Sequence, residues 1–202
     1  MKNVIIIGTG GHAKVLADIV LCSGDNLMGF LTSDTDKTQF VGYPILGLDT
    51  DYKNFENCSF IIGIGDNAAR EKIAERMQGV DWYTAIHPTA IIARIDTSIG
   101  EGSAILANAT VCAGAHIGRH CIINTSADAD HDTVMEDFSH ISALSILAGG
   151  ARIGKRSFMG VNSCVRDKTS IGDDCFIGAG SAVVKDITEP GVYVGVPVRK
   201  IK

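Results

Sequence analysis

The chain has 202 residues, 46% of them hydrophobic, and a formal net charge of −5, the balance of a globular protein with room for a substantial core. Mild acidity gives no electrostatic reason to expect nucleic acid or an anionic membrane surface as a partner, and no apolar run approaches the roughly 20 residues needed to cross a bilayer. The six cysteines (Cys22, Cys58, Cys112, Cys121, Cys164 and Cys175) show no CxxC or other metal spacing, so the reading is no metal, thiols used for packing and a reducing cytoplasm.

The N-terminal third alternates strands and helices. Residues 4–7 form a short aliphatic run that ends at Gly8, which suits a buried strand better than a signal peptide. The glycine turn Gly8-Thr9-Gly10-Gly11-His12 follows, then a helical pattern over 13–20 and a second strand over 27–31. A further strand is expected over 60–64 and a helix from 67 to 77, with Asp66 or Asn67 as its N-cap and Gly79 as its terminator. Such alternation implies a small parallel sheet with its ligand loops at the strand C-termini. Gly8-x-Gly10-x-x-Ala13 approximates a dinucleotide fingerprint, with Asp34 as the ribose acid, but the unit closes near residue 80, half the size of a full two-nucleotide fold. That favours a mononucleotide diphosphate resting on backbone N–H groups at the helix N-terminus over a nicotinamide cofactor. Glycines that serve only a tight turn are the plainer alternative.

Beyond residue 80 the pattern changes. From Ile99 to Val183 an aliphatic residue recurs at every sixth position, with a small-residue series from Ser103 to Ser181 in the same period. Hexapeptide repeats mark a parallel β-helix in which each repeat makes one flat side of a coil. Three sides make an 18-residue coil, so five coils span 99–188 and an irregular one begins between Ile86 and Ser98. The domains expected are 1–80, a Rossmann-like unit, and 81–202, the β-helix with a C-terminal tail.

The series weakens at Ala129, where polar residues surround His131 and Asp132. The stacking neighbours of His131 are Ala113 and Gly149, both small, so its ring projects into an open slot. Asp132 would hold one ring nitrogen and leave the other free to take a proton. The competing reading is a solvated surface histidine, and it applies equally to His116, His120 and His140. Convergence of three of these imidazoles on zinc across a subunit interface is a further alternative.

The turn 8–15, Ile62-Gly63-Ile64-Gly65-Asp66-Asn67, Ile123-Asn124-Thr125-Ser126, His131-Asp132, the segment 138–142 and Gly191-Val192-Tyr193-Val194-Gly195-Val196-Pro197 together resemble bacterial nucleotide-sugar acetyltransferases of the PglD/NeuD type, in the same order along nearly the whole chain. The resemblance implies a left-handed β-helix, a homotrimer, and acetyl-CoA lying between the coils of adjacent subunits. It matches His131 to the general base and Asp132 to its acidic partner, usually a glutamate. His140, Val161 and Ala179 match acetyl-CoA contacts, and Ala143 shares the column of the last two. Gly10, Gly11, His12 and Gly65 match the nucleotide loops. Thr32 and Ser33 stand where some members carry paired acids, which leaves the nucleotide base open. The implied reaction is direct N-acetylation of a nucleotide-linked amino sugar, of the UDP-4-amino-4,6-dideoxy or GDP-perosamine kind. O-acetylation of a sialic-acid-type sugar, or a non-catalytic trimeric nucleotide-binding protein, are the alternatives.

Overall fold

The structure is a computed structural model and describes residues 1–34, 36 and 38–202. Strand β1 (Asn3–Ile7) carries four aliphatic residues in succession, all buried, as a strand covered on both faces requires. The chain continues through α1 (Gly11–Cys22), β2 (Asn26–Leu31), β3 (Gln39–Phe40), β4 (Tyr43–Gly47), β5 (Ser59–Ile62), α2 (Asn67–Arg76) and β6 (Asp81–Trp82). The sheet order is β3-β4-β2-β1-β5-β6, parallel except for the β3–β4 pair. The three expected strands form its centre. The additional strands flank these, where β3 and β6 are two residues long and β4, between β3 and β2, contains Pro44, which interrupts the strand pattern. Asp66 caps α2, its side chain accepting from the Ala69 N–H at 2.7 Å. Gly63 is required by packing: a Cβ there would lie within 2.6 Å of Ala13 Cβ, at the start of α1.

From Ala85 the chain winds into a three-sided prism of parallel two-residue strands. In the first sheet Ala104, Ile122, His140, Phe158 and Phe176 stack, and in the second Thr110, Asp128, Ile146, Cys164 and Ala182. In the third, Ser98 leads to His116, Val134, Arg152 and Ser170. The initial coil is the irregular one: Ala85 pairs with Ala104 and Ile91 with Thr110, a register of 19 residues rather than 18. Inward aliphatics and the small series fill the core, with Ile105, Val111, Ala129, Ile141, Leu147 and Ile177 fully buried. The strand Gly191–Val194 pairs with Cys175–Ile177 and, with the antiparallel Arg199–Lys200, closes the last coil.

A third six-residue series governs the backbone. Asp96, Gly102, Asn108, Gly114, His120, Ser126, Asp132, Phe138, Leu144, Gly150, Arg156, Asn162, Lys168, Asp174 and Gly180 all have φ between 50° and 74°. Each ends one corner of the prism in the left-handed region, which costs an L-residue roughly 1–2 kcal/mol. The paired strands and filled core repay that cost at every corner.

The sheet and the prism share a hydrophobic core. Leu16, Ile19 and Val20 of α1 pack with Ala85, Ala104, Leu106 and Ile122, while Phe138 joins the cluster beneath α2. The N-terminal unit therefore sits on the first sheet of the prism.

Candidate active site

His131 and Asp132 occupy the corner between the second and third sheets of the prism. His131 Nδ1 lies 2.8 Å from Asp132 Oδ2, an arrangement that places the ring proton on Nδ1 and leaves Nε2 as an acceptor. Left-handed backbone at Asp132 (φ 59°) turns its carboxylate back toward the preceding residue. Two glycines make room for the pair: a Cβ on Gly149 would collide with His131 Nε2, and one on Gly114 with Asp132 Oδ1. The side chains are 64% and 74% exposed in the isolated chain. The hydrogen bond to Asp132, then the charge of Asp130, raise the His131 pKa above the ordinary imidazole value.

A second group of expected site residues lies where β1, β2 and β5 end. The Gly8 N–H donates to the Leu31 carbonyl at 2.7 Å and that of Gly63 to Ile7 at 2.8 Å, which ties the three loops together. Thr32 is buried, its hydroxyl 3.4 Å from that of Thr9 and 3.2 Å from the Asp34 N–H, which donates to it. Ser33 is exposed. A cleft of about 370 Å³ opens beside them, lined by Thr32, Asp34, Ile45 and Asp51 among others. Gly8 has φ +102° and is required by its turn, but Gly10, Gly11 and Gly65 have no such backbone, and a Cβ at any of them would meet nothing within 4 Å. The tight-turn reading thus accounts for Gly8 and leaves the other three unexplained. They line open space at the mouth of the loops.

His12 and His140 form the inner wall. His12 Nε2 and His140 Nδ1 are buried and make no well-formed hydrogen bond among the described residues, although the Gly65 backbone approaches the His140 ring. Asn124 Nδ2 approaches His140 Nε2 at 3.3 Å, so the neutral ring carries its proton on Nδ1, the unpartnered atom. Burial, then the charges of Arg70 and His12, push the pKa of His140 down to about 3. Burial followed by Arg70 lowers that of His12 to about 4. Buried polar atoms without partners are costly, and His120 Nδ1, packed between Trp82 and Phe138, is a third. Sequence reasoning did not single out Asn124 as the partner of His140, although residues 16 apart sit on adjacent coils.

The remaining expected residues run along the corner between the first and second sheets. Val161 is 46% exposed, Ala179 is exposed and Ala143 half-buried, a shallow column flanked by exposed Leu144. The other coil histidines do not join them. His116 is an exposed strand residue with Nδ1 3.0 Å from the Ser98 hydroxyl, and His120 is buried between Trp82 and Phe138. Within one chain His116, His120, His131 and His140 do not converge, since they lie on different sides of the prism. Among the described residues one trio of potential metal ligands converges, Asp18, Cys22 and His87, on the surface of α1 and away from the groups above. A larger depression of about 740 Å³ lies at the other end of the sheet, lined by Lys2, Tyr52 and Asp81, and holds none of the expected site residues.

Comparison with known proteins decides the family. Residues 3–77 match the family described as the PglD N-terminal domain, and 150–185 and 168–199 match the hexapeptide repeat of succinyl-transferase. The acetyltransferase domain of PglB from Neisseria gonorrhoeae FA1090, solved in complex with acetyl coenzyme A, superposes with a TM-score of 0.93 at 31% identity over 99% of each chain. The chain belongs to the PglD-type sugar N-acetyltransferase family. Another member of similar structure is PerB from Caulobacter crescentus, in complex with CoA and GDP-perosamine, with a TM-score of 0.93 and 34% identity over 100% of this chain and 98% of that one. UDP-N-acetylbacillosamine N-acetyltransferase of Bacillus subtilis (strain 168) is 35% identical over 115 residues, which take in 53% of this chain and about half (52%) of that relative. Membership accords with the fold expected from the resemblance, a parallel-sheet unit followed by a left-handed hexapeptide β-helix. No helix among the described residues is long and apolar enough to cross a membrane.

Proposed function

We propose that the chain transfers the acetyl group of acetyl-CoA to the amino group of a nucleotide-linked amino-deoxy sugar, with His131 as general base. The observation that carries this reading is the His131–Asp132 pair, set in a notch that Gly149 and Gly114 keep open, with Nε2 free. The neutral amine attacks the thioester carbonyl while Nε2 takes its proton. Asp132 stabilises the imidazolium that forms. Collapse of the tetrahedral intermediate releases the CoA thiolate, and the imidazolium returns the proton to it. The acceptor's diphosphate rests on the open glycine loops at Gly10, Gly11 and Gly65, with the His12 ring beside it and the base near Thr32 and Ser33. Acetyl-CoA lies along Ala143, Val161 and Ala179, and His140 offers its Nδ1–H to a carbonyl of that ligand. The PglB and PerB complexes, whose ligands are acetyl coenzyme A in one case and CoA with GDP-perosamine in the other, support both assignments.

Within one chain these parts do not meet. The second sheet of the prism separates the His131 corner from the Val161 corner, and it carries the exposed apolar residues Ile91 and Ile146, with Leu144 and Ile95 at its two margins. A threefold axis facing that sheet buries those residues and sets the His131 corner of one copy against the Val161 corner of the next. The site is accordingly formed between copies of a homotrimer. The test is acetyl transfer to a panel of UDP-, GDP- and dTDP-linked 4-amino sugars, measured for the wild type and for His131→Ala. Turnover on one of these substrates and a fall of about 10²–10⁴-fold in the variant, with the trimer intact, are the expected results. Unchanged acetylation by the variant would remove His131 from the mechanism, and no turnover on any amino sugar would remove the reaction.

A further inference from the structure

Among the described residues Arg70 is the largest fully buried side chain, 1% exposed, and no carboxylate of theirs is among its hydrogen-bond partners. Its guanidinium makes five hydrogen bonds, the number of N–H groups that it has. Nη1 donates to the carbonyls of Ile64 (3.1 Å) and Gly65 (3.2 Å), at the end of β5. Nε donates to the His120 carbonyl at 2.8 Å, and Nη2 to the Phe138 carbonyl at 2.9 Å and to Asn67 Oδ1 at 2.8 Å. His120 and Phe138 are equivalent corner residues of successive coils, and both are left-handed. Asn67 Nδ2 extends the set one coil further, donating to the carbonyls of Arg156 (2.8 Å) and Ser157 (3.1 Å). Three corner carbonyls, 18 residues apart in sequence, are thus read by two residues of α2.

Hydrophobic contact already joins α2 to the prism through Phe138, and a buried cation without a counter-charge is an expensive way to add to it. Two features show what the cation adds. One is geometric: the fork holds Gly65, in the acceptor loop, to a coil corner two residues before His140. The other is electrostatic. Asp66, which is exposed and occupied in capping α2, is the acid whose field reaches Arg70, whereas His12, His120 and His140 all lie within the field of Arg70 and are kept neutral by burial and by that charge. The inner wall therefore holds one permanent positive charge facing neutral rings.

We propose that Arg70 is a positioning residue for the acceptor, fixing the Gly65 loop at its working distance from His140 and supplying the positive charge that draws a nucleoside diphosphate group into the loops. This rests on the reading of the N-terminal loops as the acceptor site. It makes binding of the acceptor, rather than of acetyl-CoA, the quantity that Arg70 controls.

Calorimetric binding of UDP, GDP and CoA to the wild type, Arg70→Lys and Arg70→Met, with kinetics on the amino-sugar substrate, tests it. Arg70→Met is expected to weaken nucleoside diphosphate binding by about 10- to 100-fold, the scale of lost charged hydrogen bonds, and to change CoA affinity less than about twofold. Arg70→Lys, which keeps the charge and loses the fork, recovers part of the binding and still shows a raised KM for the amino sugar. A residue needed only for folding would lower the active fraction and kcat and leave both KM values unchanged, a pattern that overturns the proposal. So does failure of both variants to assemble as the wild type does. If the wild type binds neither UDP nor GDP, the acceptor-site reading falls and takes this inference with it. If the wild type binds one and Arg70→Met binds it equally well, the inference alone falls.

Discussion

His131 and Asp132 are adjacent in sequence, and their 2.8 Å contact depends on the left-handed backbone at Asp132 and on glycine at 114 and 149. The contact has a consequence for pH dependence. If His131 is the base, as proposed above, its raised pKa keeps it protonated, and idle, over a wider range at the acid end, so kcat/KM for the amino sugar is expected to rise with pH through a midpoint above the ordinary imidazole value. Asp132→Asn removes the first cause of the shift. Its acidic limb moves to lower pH while the plateau rate falls, and a pH–rate profile of the two proteins checks this. A limb that stays in place would mean that another group sets it. The pairing of these two side chains was legible in the sequence, because they are adjacent and an alanine in place of a larger aliphatic and a polar cluster interrupt an otherwise regular series there. The partner of His140 was less so, since Asn124 is brought to it only by the winding of one coil.

Two of the three six-residue series could be read from residue types, because burial selects aliphatic and small side chains. The third could not. Of the fifteen left-handed corner residues only Gly102, Gly114, Gly150 and Gly180 are glycines, and the others include Phe138, Leu144 and Arg156. Corner side chains point outward, so their chemistry is free to vary while the conformation is imposed by the coils above and below. Exposed Asp96, with φ 50°, allows the cost to be measured away from the site. Asp96→Val, β-branched and poorly suited to this region, is expected to lower unfolding stability by about 1–2 kcal/mol. Asp96→Gly is expected to leave it unchanged or raise it by less than about 1 kcal/mol. Urea titrations of the three proteins decide the matter, and equal midpoints would show that the corners are not held under strain. The outer strands β3, β4 and β6 escaped notice for other reasons: β3 and β6 are two residues long, and β4 contains a proline.

At the scale of the molecule, the sheet unit and the prism are joined by a shared core through α1 and by the clamp of Asn67 and Arg70 on the coil corners. The clamp was invisible beforehand, because its acceptors are backbone carbonyls 50 to 90 residues away, which carry no sequence signal. The same architecture keeps the glycine loops and His140 on the first sheet and His131 on the opposite corner, and in the trimer proposed above each chain would contribute halves of two different sites. That division is the centre of the account. It is tested most directly by mixing two variants each expected to be inactive alone, His131→Ala and His12→Ala, under conditions that let subunits exchange. In a site built from two copies, random exchange creates sites with neither lesion, and activity should return to about one quarter of the wild-type value. If each site were contained in one chain, every chain in the mixture would still carry a lesion, and the mixture would remain as inactive as its parents.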